Sequence, residues 1–303
     1  MDVYRLFKLM SDRSSHNKRI AKNTLFLYLR MGLVLVVSLF STRVVLQALD
    51  IEDYGINNVV SGFVTMFAFL NTSMSNGVQR FYNFSLGRKN GYSIKDVYNT
   101  ALQIQAILAV TLLVPLETFG MWYIHTQMVI PIDRFAAAQW VFQFSVLSLV
   151  LLVLQIPYSA AIMAYEKMDY YAYLSIFDVL AKLGIAYIIK YTTFDKLILY
   201  GALNMLVSLI CFFLYYGYAK SHFQDLKSDF IIRKQLFKPM LYFSGWNGFG
   251  SFAYMIKSQG LNMLLNVFFG PIVNAARGVS NMAMSAIQGF QSNIVIAFRP
   301  QLI

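Results

Sequence analysis

The stretch YAYLSIFDVLAKLGIAYIIK (residues 171–190) decides how this chain is read. As a helix it is long enough to cross the roughly 30 Å hydrocarbon core of a bilayer. Yet its middle carries Asp178 and Lys182. A soluble helix needs no apolar run of this length, and a passive anchor needs no charges inside one. Side chains four residues apart share one helix face. The stretch therefore reads as a membrane helix with a charged pair on one side.

Further apolar segments lie on both sides of it, at about 24–48, 56–82, 98–119, 136–164, 197–218, 239–267 and 272–298. That makes eight in all, each predicted to be a transmembrane helix, because a lone strand leaves its backbone groups unsatisfied in lipid. Pro157 is expected to kink the fourth. Of the 303 residues, 58% are hydrophobic and 13% charged, against about 25% charged in soluble domains. The fold class is thus all-α and polytopic. Tyr and Trp cluster near several segment ends, as at Trp122, Tyr123, Tyr170 and Tyr171, where an interfacial belt is expected.

A net charge of +11 would suit nucleic acid, but its distribution argues for topology instead. Lys and Arg crowd the first 22 residues and the second and sixth connectors, and the fourth holds Lys167. The first connector reads Asp50-Ile51-Glu52-Asp53, and the other alternate connectors hold only Arg134, Lys190 and Lys196. The positive set is read as cytoplasmic, with the N-terminus inside and membrane lipids, not nucleic acid, as surroundings. The divisions are a basic tail (1–22), a six-helix bundle (23–219), a cytoplasmic linker (220–238) and the first two helices of a second bundle (239–303).

A repeat links the two parts. The second segment has a polar stripe at Asn58, Ser61, Thr65, Thr72, Asn76, Gln79 and Asn83. The eighth has Asn274, Arg277, Asn281, Ser285, Gln288, Ser292 and Arg299. At an offset of 216, six of the last seven face a polar position of the first set. Such stripes either pack helices together or line a wet cavity. Because it carries Arg277, which is costly to place in lipid, the eighth segment reads as cavity wall, with Asn281 and Gln288 beside Arg277.

The interior charges are Arg30, Lys182, Lys257 and Arg277 against Asp178 alone. Arg30 either snorkels to the cytoplasmic end or points into the cavity. Asp178 and Lys182 form a self-neutralising pair, or a coupling site at which a proton or Na⁺ changes the pair. A net-positive cavity suits an anionic cargo, and guanidinium suits diphosphate in particular. Cys211 is the single cysteine, so no intramolecular disulfide forms; it reads as a small buried hydrophobe. His16, His125 and His222 show no ligand spacing. There is no P-loop, dinucleotide glycine pattern or zinc motif. With only short outward loops as well, neither an enzyme nor a bound cofactor is expected.

Asp53-Tyr54-Gly55, Gln79-Arg80-Phe81, and Gly270-Pro271 followed by Asn274-Ala275-Ala276-Arg277-Gly278 carry a resemblance. The stretches 23–90 and 268–302 resemble bacterial polysaccharide exporters of the O-antigen flippase type, in the multidrug/oligosaccharidyl-lipid/polysaccharide (MOP) superfamily. That resemblance implies two six-helix bundles around a central cavity and alternating access. It also implies a cargo of polyprenyl-diphosphate-linked oligosaccharide, driven by a proton or sodium gradient. Cargo-binding arginines would be Arg30 and Arg277, and a polysaccharide polymerase and glycosyltransferases would be partners. A complete member has at least four further helices, so a truncated chain is the expectation. Rival readings are a cation-coupled drug antiporter of the same superfamily, which the positive excess opposes, and a membrane enzyme of glycan assembly, which the short loops oppose.

Overall fold

The computed structural model describes residues 25–253, apart from 27, 39, 42, 51–52, 58–59, 62–63, 65–66, 88–90, 127–129 and 227–234, together with residues 284, 288 and 291. The described residues are helical and contain no strand. In chain order the helices are α1 (Tyr28–Asp50), α2 (Ala68–Leu86) and α3 (Ile94–Pro115). Then come α4 (Met121–Thr126), α5 (Phe135–Ala164), α6 (Met168–Tyr191) and α7 (Lys196–His222). Residues 235–253 form α8. Among the described residues, five helical spans are long and apolar enough to cross a membrane: α1, Ile94–Thr126, Ile132–Ala164, α6 and α7.

Local chemistry sets the helix ends. Ser93 and Asp96 make a reciprocal capping box at the start of α3, at 3.1 and 3.2 Å. Asp195 accepts from the backbone N–H groups of Leu197 and Ile198 and so starts α7. At the end of α5, Glu166 adopts φ 56°. Its N–H reaches the Met163 carbonyl and that of Lys167 reaches Ile162, a Schellman closure built on a non-glycine residue.

Two spans differ in outline from the apolar segments. The third segment extends to Ile94–Thr126, because Pro115 does not end it. The chain instead passes through a π turn at Leu116–Gly120 into α4, a wider turn that absorbs the missing N–H donor. The second segment is divided at Phe67. There the bonds from Phe67 N–H to Val64 and from Leu70 N–H to Phe67, both 3.1 Å, close tighter three-residue turns. Pro157, by contrast, lies inside one continuous helix.

α5 is the hub, packed against α7, α2, α3 and α6. Gly201 of α7 permits the closest approach: a Cβ there would stand 3.2 Å from the Phe144 ring and 3.3 Å from Val141. One apolar core gathers around Leu49, Phe142, Ile189 and Leu197. A second gathers around Tyr82, Tyr98, Ile156 and Ile162. The outer surface is apolar as well: Val36, Val110, Val114, Trp140, Phe213 and Trp246 are each more than half exposed. In water such a surface would associate; in lipid it is solvated.

α8 lies along α2 through small side chains. The hydroxyls of Ser73 and Ser251 are 3.1 Å apart. Gly77 faces Ser244, whose Cβ would be 3.2 Å from a Cβ at position 77. Arg80 stacks over the Phe243 ring at 4.1 Å. At one end of the bundle, Arg134 joins three connectors. Its Nε donates to Asp53 and its Nη1 to Asp195, each at 2.8 Å, and Nη2 also meets Asp53.

Gly77→Val is expected to overpack the α2–α8 seam by about 1–3 kcal/mol. The apparent melting temperature in detergent should fall, and Ser244→Gly in the same chain should recover part of the loss. Arg134→Met should leave Asp53 and Asp195 facing each other without their shared cation. These side chains are 16–32% exposed, so a loss of about 1–2 kcal/mol is expected. Thermal unfolding in low and high salt reads it, with a smaller difference in high salt.

Candidate functional site

A cavity of about 540 Å³ lies inside the bundle. Its wall is built from α1, the helical stretch before α2, α5, α6 and α7. Three helices each turn one face to it. From α5 come Ser145, Ser148 and Gln155; from α6, Ser175, Asp178 and Lys182; from α7, Tyr200, Asn204, Ser208 and Cys211. The spacings of three, four and seven residues keep each set on one side of its helix.

Lys182 Nζ donates to Asp178 Oδ2 at 2.8 Å. Arg30 enters from α1, with its guanidinium carbon 4.7 Å from the centre of the Tyr171 ring. Its Nε is buried and has no hydrogen-bond partner. With Asp178 matched by Lys182, the cavity keeps one positive charge in excess, on Arg30.

The uncharged polar groups follow a common pattern. The hydroxyls of Ser145, Ser148, Ser175 and Ser208 donate to carbonyls four residues back, at 2.7, 2.8, 2.9 and 3.1 Å. Asn204 Nδ2 does the same to Tyr200 at 2.8 Å. The serine protons are thereby committed to the backbone, while the second amide N–H of Asn204 and the amide of Gln155 leave donors on the same wall. Cys211 is buried at 8% exposure but borders the same space. Among the described residues no group of three or more His, Cys, Asp or Glu could hold a metal ion.

The structure therefore brings Arg30, Asp178 and Lys182 into one cavity. Lys257, Arg277 and Asn281 lie outside the described residues, and with them most of the eighth segment. Gln288 is helical and exposed. Arg43 of α1 is exposed. The polar faces of α5 and α7 were not picked out by sequence reasoning. Their signal was present in the Ser145–Ser148–Gln155 and Asn204–Ser208–Cys211 spacings.

No protein-family model matches the chain, and no curated protein matches it. A solved structure described only as "protein A" superposes with a TM-score of 0.76 at 13% sequence identity. The match covers 94% of this chain and 64% of that one, so this chain spans less than two thirds of its length. At that identity the likeness shows a shared helical fold alone.

Removing either member of the Asp178–Lys182 pair should destabilise the chain more than removing both. Their side chains are 31% and 45% exposed to the cavity, which holds the expected coupling to about 1 kcal/mol. Melting temperatures of Asp178→Asn, Lys182→Met and the double variant complete the cycle; additive losses would show that the two do not interact.

Proposed function

We propose that the chain belongs to a flippase of the bacterial inner membrane that moves polyprenyl-diphosphate-linked oligosaccharide by alternating access. The cargo would serve surface polysaccharide such as O-antigen or capsule. The observation that carries this reading is Arg30 in a polar cavity where Asp178, the one carboxylate among its described lining residues, is already paired with Lys182. An unmatched guanidinium at that depth favours an anionic ligand, and its fork matches phosphate oxygens bidentately.

In this reading Arg30, with Arg277 and Lys257, binds the diphosphate, and Asn281 and Gln288 contribute hydrogen bonds. Asp178 and Lys182 are the coupling pair. Protonation or Na⁺ binding at Asp178 would release Lys182 and raise the positive charge of the cavity, linking a proton or sodium gradient to cargo affinity. The chain would lie multi-pass in the membrane with its basic N-terminus in the cytoplasm, as the connector charges suggest. Glycosyltransferases would supply the cargo and a polymerase would consume it. The apolar exterior and the five long apolar spans support a membrane setting.

The test is complementation of a strain lacking its glycan flippase, with the 303-residue chain and with the same chain extended by its downstream coding sequence. Restored surface polysaccharide supports the reading. Within a restoring form, Arg30→Gln should cut export about tenfold or more, the worth of one charge-assisted contact. Normal surface glycan in that variant, at equal membrane expression, would overturn the assignment.

A further inference from the structure

We propose that α5 carries a latched hinge at Pro157, about which its first half leans and changes the width of the cavity, and that Asn71 and Tyr82 of α2 are the latches. The device works whatever the cavity carries, so it does not rest on the flippase reading. Pro157 is buried inside the helix Phe135–Ala164. It has no N–H, so the carbonyl of Val153 loses the donor that a helix normally places four residues on, and the ring crowds that carbonyl. Sharp bends in long helices fall at such places. α5 nevertheless runs through Pro157 without a break, so its neighbours must support the turn.

That support comes from α2. Asn71 Nδ2 donates to the carbonyl of Leu152, and the Tyr82 hydroxyl donates to the carbonyl of Pro157, each at 3.3 Å. The two donors stand about three turns apart on one face of α2, and their acceptors bracket the Val153 carbonyl. Proline is tolerated in membrane helices where neighbouring side chains tend the disturbed backbone. Both bonds are long for their kind. Bonds of this length restrain α5 without fixing it.

The two halves of α5 meet different surroundings. From Ile156 to Ala164 every side chain except Ser159 is buried, and Tyr158 packs against the rings of Tyr98, Phe212 and Tyr216. That half is anchored. Before the proline, Ser145, Ser148, Leu149, Leu152 and Gln155 line the cavity of about 540 Å³, and none of the described α5 residues beyond Gln155 does. Along that face the first half has open space in place of packed neighbours. The weak turn thus falls where the anchored half ends and the cavity wall begins. A tilt of about 10° at Pro157 would shift Ser145, roughly 18 Å along the helix, by about 3 Å. It would carry the whole α5 side of the cavity with it.

Cys211 reports the opening of the cavity, because it borders that space, is 8% exposed and is the single cysteine of the chain. Modification of such a buried thiol follows the population of open excursions. The purified full chain is alkylated with N-ethylmaleimide. Tyr82→Phe, which removes the hydroxyl alone, should speed labelling about two- to tenfold, the worth of one hydrogen bond. Asn71→Leu should act in the same direction. Pro157→Ala restores the missing N–H and should slow labelling below the parent rate. In the Pro157→Ala chain, Tyr82→Phe should then change the rate by less than about twofold, a coupling that independent sites do not show. Amide hydrogen exchange over residues 149–157 should follow the same order. Variants with the elution profile of the parent chain count as folded, and Asn71→Leu carries the test where Tyr82→Phe does not fold. The proposal is overturned if neither α2 variant speeds labelling. It is also overturned if the acceleration is as large in the Pro157→Ala chain as in the parent, the result for bonds that only tighten packing.

Discussion

A hydroxyl or amide proton on a helix surrounded by apolar groups has to find its acceptor within the helix. Leaving it unmet in hydrocarbon costs several kcal/mol. Many of the described hydroxyls meet the requirement in one way. Thr111, Thr118 and Thr126, all on exposed surface, donate to carbonyls four residues back at 2.8 Å. The buried Thr100 donates to Asp96 at the same distance. The serines around the cavity do likewise. The same constraint thus gives a quiet outer surface and an inner wall whose serine hydroxyls are already donating to backbone.

Charges are arranged by a different rule. Asp178 and Lys182 neutralise each other along one helix, so neither asks anything of its neighbours. Arg134 does the opposite, spreading one cation over carboxylates from two other connectors. Pairs this exposed add little net stability. Arg134 serves to hold the ends of α1, α5 and α7 in register, because a planar fork engaging two carboxylates fixes direction as well as distance. Arg30 lies against the Tyr171 face and its Nε has no hydrogen-bond partner among the described residues, and that asymmetry makes it the group of interest in the cavity.

Much of this was legible in the sequence. Residues 171–190 announced a helix with a charged face by length and spacing alone, and Asp178 and Lys182 meet as four-residue spacing allows. The break at Phe67 was not legible. No proline marks it, and it rests on a local change of hydrogen-bond step. The third span reaches beyond residues 98–119, to Ile94–Thr126, because a π turn at Leu116–Gly120 carries the helix on into Met121–Thr126. The polar faces of α5 and α7 escaped notice because serine and asparagine in an apolar helix serve packing as readily as binding. The repeat linking the second and eighth segments falls largely outside the described residues, and the coordinates leave it as the sequence stated it.

The seam between α2 and α8 has a mechanical consequence. It is made of serine hydroxyls, one glycine, an arginine lying on a ring and the aromatic pairs Phe69–Phe252 and Phe81–Phe243, with no ion pair among its described contacts. A hydrogen bond between membrane helices is worth about 0.6 kcal/mol on average, and an arginine on an aromatic face about 0.5–2 kcal/mol. One elementary charge crossing 100 mV releases about 2.3 kcal/mol. Energetically, the seam is closer to a zip than to a weld. Each of its polar contacts is small beside the energy of a single ion's descent, and the alignment of the two helices rests on the number of contacts rather than on any one of them.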